Sequence, residues 1–381
     1  MPTPAKEIRP VKVTIERGTL LKALSHVQSV VERRNTIPIL SNVLLRADGG
    51  TLSLTATDLD IEIVEQVPAD AEQTGAATAA AVTLFDIVKK LPDGSQVSLE
   101  KTGTGRLQLT AGSSDFSLAI LPEDDFPALP QAEDGQRFEV PTGDLARLID
   151  KAKFAMSQEE TRYYLNGIYF HASDDGGAQS LRAVATDGHR LARIDADLPK
   201  GAEGLEGIII PRKAVLELRR LLDDAGETVE MLVAPGRVRF AFDDIALTTK
   251  LIDGTFPDYA RVIPEGNDKL MHVHPAEFAK SVDRVSTVSA DKTRSVKLAL
   301  GNDRLRLNVN SPETGTATED LAVDYPGDDI EIGFNARYLL DITAQIDGET
   351  ATFAFADTAS PTVISDGEDA RALYVLMPLR V

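Results

Sequence analysis

The chain of 381 residues contains no cysteine. That excludes disulfides, thiolate metal sites and a cysteine nucleophile, and it fits a reducing, cytoplasmic setting. No apolar run approaches the ~18 residues of a membrane helix, so no membrane partner is expected. The opening segment MPTPAKEIRP lacks an apolar signal core, so no export is expected either. There is no G-x-x-x-x-G-K-[ST] loop, no G-x-G-x-x-G and no G-x-S-x-G elbow, so neither a nucleotide fold nor a serine nucleophile is indicated. Positive charge is scarce: 40 Lys and Arg stand against 60 Asp and Glu, a net charge of −20. Taken alone, that balance argues against a nucleic-acid partner, because phosphate binding normally uses a basic surface.

What is present is enough apolar material, 43% of residues, for real cores, and a length suited to two or three domains. The chain also repeats itself. Val13, Ile15 and Leu20 occupy offsets 0, 2 and 7 of one segment. Phe138, Val140 and Leu145 hold those offsets in a second, and Met271, Val273 and Phe278 in a third. Each segment reads as a short strand entering a helix with one apolar stripe. Alternating runs follow: Leu52, Leu54 and Ala56, then Leu181, Ala183 and Ala185, then Leu305, Leu307 and Val309. The period is about 120 to 130 residues, far too long for a solenoid of short repeats. The pattern predicts three tandem α+β domains, each with two helices laid on one side of a sheet. Polar junctions place them at 1–135, 136–266 and 267–381.

The six predicted helices (19–31, 84–91, 142–156, 212–223, 275–287 and 336–346) hold 13 Lys and Arg against 8 Asp and Glu, the reverse of the whole-chain balance. Lys and Arg are good helix formers, which accounts for some of this. A basic, helix-lined surface inside an acidic shell is the functional alternative.

Residues 162–192 are the most informative stretch. Leu181, Ala183 and Ala185 alternate with Arg182, Val184 and Thr186, which predicts a half-buried strand. Asp187-Gly188 then predicts a type I′ hairpin turn with His189 and Arg190 held out from the sheet. His272-x-His274 lies at strand spacing with no clustered histidine, so no metal or other cofactor is expected. Asp58-x-Asp60 and the pair Asp187 and His189 could imitate an acid/base site, but Asp187 sits where a turn favours Asp. Glu123-Asp124-Asp125 reads as a solvated loop. A hydrolase using Asp187 and His189, and a protein-only interaction scaffold, are the readings from other classes.

Arg162-Tyr163-Tyr164-Leu165-Asn166-Gly167 and Ala185-Thr186-Asp187-Gly188-His189-Arg190-Leu191-Ala192 resemble the bacterial sliding clamps, the beta subunits of DNA polymerase III. So do Thr36-Ile37-Pro38-Ile39-Leu40, Pro211-Arg212-Lys213, Phe256-Pro257-Asp258-Tyr259 and the terminal Tyr374-Val375-Leu376-Met377-Pro378-Leu379-Arg380. The resemblance covers Val11 to Val381 in order. It implies a non-catalytic processivity factor: a head-to-tail homodimer whose six clamp domains, each with two helices on a curved antiparallel sheet, close a ring around double-stranded DNA.

The resemblance further implies a pocket for short linear motifs of replicative and translesion polymerases, the clamp loader and mismatch-repair proteins. It maps onto Leu165, Thr186, Gly188, His189, Arg190, Leu191, Pro257, Arg261, Val262, Val375, Leu376, Met377, Pro378, Leu379 and Arg380. DNA contacts carry over to Arg34, Tyr163, Tyr164, Arg212 and Lys213. The segment Gln158-Glu159-Glu160-Thr161 just before Arg162 is acidic. Dimer contacts carry over to Phe116 and Leu118, meeting Thr287 and Val288. The small size of the last two predicts a looser dimer.

Overall fold

A computed structural model describes residues 11–32, 36–103, 105–127, 129, 134–289 and 294–380. Six α-helices occur among the described residues: α1 Arg17–Val27, α2 Ala81–Lys90, α3 Thr142–Ala152, α4 Arg212–Leu221, α5 Pro275–Ser286 and α6 Ala336–Thr343. The strand Lys12–Glu16 runs into α1, Gln136–Pro141 into α3, and Lys269–Val273 into α5. All nine residues at the repeated offsets are buried, from Leu20, Leu145, Met271 and Phe278 at 0% exposure to Val273 at 6%. The threefold pattern is therefore a core pattern: in each repeat, two strand residues on one face and one helix residue are removed from solvent.

Local chemistry starts the helices. The Glu16 carboxylate accepts from the Thr19 N–H at 2.8 Å, and the Asn335 side chain accepts from the Arg337 N–H at 2.9 Å. Pro275 opens α5, where its missing N–H is no loss. The helices α1, α3 and α4 each tighten into a 3-10 turn, at Gln28–Val30, Lys153–Ala155 and Leu222–Asp224. The expected spans ran through these turns, because a 3-10 turn continues the apolar stripe while closing the last carbonyls.

The described strands form four antiparallel sheets, two of them eight-stranded. In the first large sheet, Ile61–Pro68 pairs with Ile245–Lys250, joining strands of the first and second repeats. In the second, Arg190–Asp197 pairs with Ala372–Leu376, joining the second and third. The chain accordingly packs as two compact units, residues 1–142 with 216–251 and residues 143–215 with 252–381, each containing one whole large sheet. A five-stranded sheet ends at the edge strand Ser114–Ala119, and a four-stranded sheet at Gly315–Ala322.

The helices α1 and α2 pack together, with α1 against Thr51–Thr57 and Ile61–Pro68. The helices α5 and α6 do the same, with α5 over Ser295–Gly301, Arg304–Ser311 and Gly315–Ala322. The strand Ala178–Thr186 departs from expectation. It is buried on both faces from Leu181 to Ala185 rather than half-buried. Arg182 is sunk between Asp175 and Asp195, and Val184 joins a separate apolar cluster.

Candidate functional site

The turn after Ala178–Thr186 is a three-residue loop, not a type I′ turn. Only Gly188 has positive φ, at +86°, whereas type I′ needs it at two successive positions. The Asp187 side chain supplies the missing restraint. Its Oδ1 accepts from the N–H groups of His189 at 2.9 Å and Arg190 at 3.0 Å. The Thr186 hydroxyl donates to the Arg190 carbonyl at 2.7 Å and accepts from the Gly188 N–H at 3.1 Å. The first repeat builds the same loop. Asp58 accepts from Asp60 and Ile61, Thr57 bonds Ile61 and Leu59, and Leu59 takes φ +80° without being a glycine. An Asp187 carboxylate occupied by two backbone donors and the Arg190 guanidinium is a loop brace, not a general base.

Arg190 is likewise not held out from the sheet. It is 9% exposed. Its guanidinium donates to Asp187 at 3.1 Å, Asp341 at 2.5 Å and the Phe154 carbonyl at 2.7 Å, and it lies 4.3 Å from the Tyr338 ring centroid. A guanidinium so enclosed is a rivet between the loop and α6. His189 does stand exposed, its ring near that of Tyr338 at 6.2 Å. Tyr338 was not singled out from the sequence. Its position three residues after the Asn335 cap, on the half-buried flank of α6, was the available signal.

Beside this loop lies an apolar cluster of Leu165, Val184, Leu191, Ile209, Phe256 and Val375, with Tyr164, Tyr169, Ile252, Tyr259, Ile263 and Leu373 packed around it. Three candidates from distant parts of the chain, Leu165, Leu191 and Val375, thus come together. The C-terminal tail is pinned. Leu376 ends its strand fully buried, the Met377 N–H donates to the His189 carbonyl at 2.9 Å, and the Leu379 N–H to the Gly333 carbonyl at 2.8 Å. Met377 and Val262 remain 40% and 49% exposed, large apolar side chains facing solvent next in sequence to residues of that cluster and its surround. Pro257, Arg261 and Arg380 are exposed, Pro378 and Leu379 half-buried, and Arg261 pairs with Asp258 at 2.7 Å.

Of the DNA candidates, Arg34 lies outside the described residues. Tyr163 is 53% exposed and meets Tyr164 edge-on, while Tyr164 packs on the apolar cluster. Arg212 and Lys213 open α4 and are half-buried. The acidic residues 158–161 are exposed. Phe116 and Leu118 sit half-buried on the edge strand Ser114–Ala119, opposite Leu109 and Leu107 of the next strand. Thr287 and Val288 follow α5, exposed and half-buried respectively.

The basic excess on the helices is smaller in space than in sequence. Lys22 pairs with Asp224, Arg147 with Asp369, Lys151 with Asp347, Lys153 with Asp150, Arg219 with Asp223, Arg220 with Glu217 and Arg284 with Glu319. Several of these carboxylates come from turns or strands far along the chain. Lys90 and Lys280 are exposed. His272 faces Thr352 at 3.0 Å, and no cluster of three metal-ligating side chains occurs among the described residues. No helix among them is long and apolar enough to cross a membrane.

Comparison with known proteins gives one answer along the whole chain. Family descriptions of the DNA polymerase III beta subunit match in three successive pieces: the N-terminal domain over residues 11–130, the central domain over 139–258 and the C-terminal domain over 260–380. The beta sliding clamp of Caulobacter vibrioides is 56% identical over 372 residues, covering 97% of this chain and all of that protein. A crystal structure of the Caulobacter crescentus clamp with bound PEG superposes with a TM-score of 0.95, covering 98% of this chain and all of the other. The sliding clamp of Bartonella birtlesii bound to griselimycin is 46% identical, with a TM-score of 0.95 and coverage of 98% and 100%.

Proposed function

Because the chain belongs to the DNA polymerase III beta subunit family, the sliding clamps, and is thereby a non-catalytic processivity subunit, we propose that it closes as a head-to-tail homodimer around duplex DNA and tethers partner proteins there. Full-length similarity across all three repeats carries this reading. The repeats would then be three domains, 1–135, 136–266 and 267–381, in a cytoplasmic protein.

The tethering site is the exposed ground around Leu165, Thr186, Gly188, His189, Leu191, Pro257, Arg261, Val262 and the tail 375–380, with Arg190 as its internal brace. An apolar floor with exposed Met377 and Val262 beside it suits short peptides with apolar anchors, and the flexible Met side chain suits several such anchors. Polymerases, the clamp loader and mismatch-repair proteins are the partners this implies. Arg34, Tyr163, Tyr164, Arg212 and Lys213 would touch DNA, and Phe116 and Leu118 would meet Thr287 and Val288 across the dimer.

Pairing of the helix cations with carboxylates favours topological over electrostatic retention. Phosphate contacts carry no sequence information and weaken steeply with salt, but a closed ring slides and stays. The test loads the protein onto nicked circular duplex with a bacterial clamp loader and ATP. The complex is washed in high salt, and the circle is then linearised. Retention on the circle with loss from the linear form is expected. Loss from both in salt, with loading confirmed beforehand, would refute the ring.

A further inference from the structure

The loop between the strands Ile245–Lys250 and Lys269–Val273 carries Pro257, Arg261 and Val262, yet between residues 251 and 264 it has only one short 3-10 turn, Tyr259–Val262, to stiffen it. Two aromatic residues tie it to the sheet below. Phe256 stacks on Tyr169 with ring centroids 4.8 Å apart and planes 3° from parallel. Tyr259 packs on the same cluster and places its hydroxyl between two polar side chains of the sheet: His171 Nε2 at 2.9 Å and Arg182 Nη1 at 3.4 Å. We propose that Tyr259, gripped by His171 and Arg182, is the positioning residue that fixes this loop, and that the grip is a proton-sensitive device which sets how well the loop presents Pro257, Arg261 and Val262 to a peptide.

The donor and acceptor roles leave one consistent assignment. Arg182 only donates, so the Tyr259 oxygen accepts from it. The Tyr259 hydrogen then goes to His171 Nε2, which must be unprotonated. His171 Nδ1 carries the ring proton and donates to the Ala172 carbonyl at 2.8 Å. A second proton on His171 turns Nε2 into a donor. The Tyr259 hydroxyl then faces two donors and its own hydrogen loses its acceptor.

The surroundings oppose that second proton. Burial pushes the His171 imidazole below its ordinary value and neighbouring Arg182 pushes the same way, against the Ala172 hydrogen bond and the carboxylates of Asp195 and Asp175. Those carboxylates are committed to Arg182, through Asp195 at 2.6 Å and Asp175 at 2.5 Å. Tyr169 and Tyr259 stand 4.9 Å and 5.8 Å from the His171 ring, centroid to centroid. The grip is therefore complete with His171 neutral, and as pH falls through the lowered His171 value it loses the bond donated by Tyr259, whose hydrogen must turn away from the ring.

The consequence for peptides rests on the tethering site proposed above; the positioning role does not, so two measurements separate them. Amide hydrogen exchange across residues 252–263 is compared at matched pH in the unmodified protein, Tyr259→Phe and His171→Gln. The loop amides of Tyr259→Phe should exchange about threefold to tenfold faster, the worth of one lost hydrogen bond. Equal exchange overturns the proposal. A rhodamine-labelled peptide with leucine and phenylalanine anchors is then titrated from about pH 8 to about pH 4.5, a range that reaches well below an ordinary histidine value. Its affinity should fall about threefold to tenfold more in the unmodified protein than in His171→Gln, which offers an acceptor but does not titrate. His189 is present in both proteins, so its contribution is common to both. The same fall in His171→Gln overturns the proton-sensitive device. No peptide binding at any pH, with the exchange difference intact, overturns the tethering site and leaves the positioning role standing.

Discussion

Five histidines are few for a chain of this length, and two of them are shifted in opposite directions by their surroundings. His171 is kept neutral. His26, 3% exposed on α1, bridges Glu65 through Nδ1 at 2.8 Å and Asp224 through Nε2 at 3.0 Å. Burial alone would lower its value, but the two carboxylates outweigh burial and raise it. A histidine raised on folding adds stability that is fully present below about pH 6.5, its unfolded value, and is lost as pH climbs through the higher folded value. Replacing His26 by Gln should therefore lower the urea midpoint more at about pH 6 than at about pH 9. A deficit that grows with pH would contradict the doubly bridged imidazolium. Neither histidine's state was legible from the sequence, because Glu65 and Asp224 lie far from His26 along the chain.

At the scale of elements, backbone bonds from Met377 and Leu379 hold the described part of the tail after Ala372–Leu376. Deleting residues 377–381 should abolish binding of the labelled peptide while reducing stability by no more than about 1–3 kcal/mol, the worth of two hydrogen bonds. Fluorescence anisotropy and urea unfolding read the two effects. Unchanged affinity would remove the tail from the site.

Elements were also the scale at which the sequence spoke most clearly. The starts of α1, α3 and α5 followed from the strand-to-helix offsets, and a turn after Thr186 was visible in Asp187-Gly188. Three things were hidden. Asp-Gly suggested a two-residue turn, because nothing local reveals that the Asp187 side chain spans a third residue. Arg190 read as free, because its anchors at Phe154, Tyr338 and Asp341 come from other elements. The helix cations read as a basic face, because the carboxylates of Asp369, Asp347 and Glu319 arrive from elsewhere in the fold.

At the scale of the whole molecule, the edge strands Ser114–Ala119 and Gly315–Ala322 offer unpaired backbone, which a soluble protein must cover or blunt. The proposed dimer would cover the first of them, which carries Phe116 and Leu118. Changing Leu118 to Asp should weaken self-association at least about tenfold, a penalty of ~1.4 kcal/mol, measured by sedimentation across a dilution series. An unaltered dimer would move the interface elsewhere.

The two large sheets carry a different lesson. Their strands pair across the repeat boundaries, at Ile61–Pro68 with Ile245–Lys250 and at Arg190–Asp197 with Ala372–Leu376. A gene fragment cut at those boundaries would look like a tidy domain on paper. Expressed alone, the central piece would emerge with two raw ladder edges and half of each inter-repeat core exposed to the solvent of the cell. Each compact unit is itself assembled from two separate stretches of the chain, so no single cut frees one, and this protein is best kept whole for crystallography, binding assays or display.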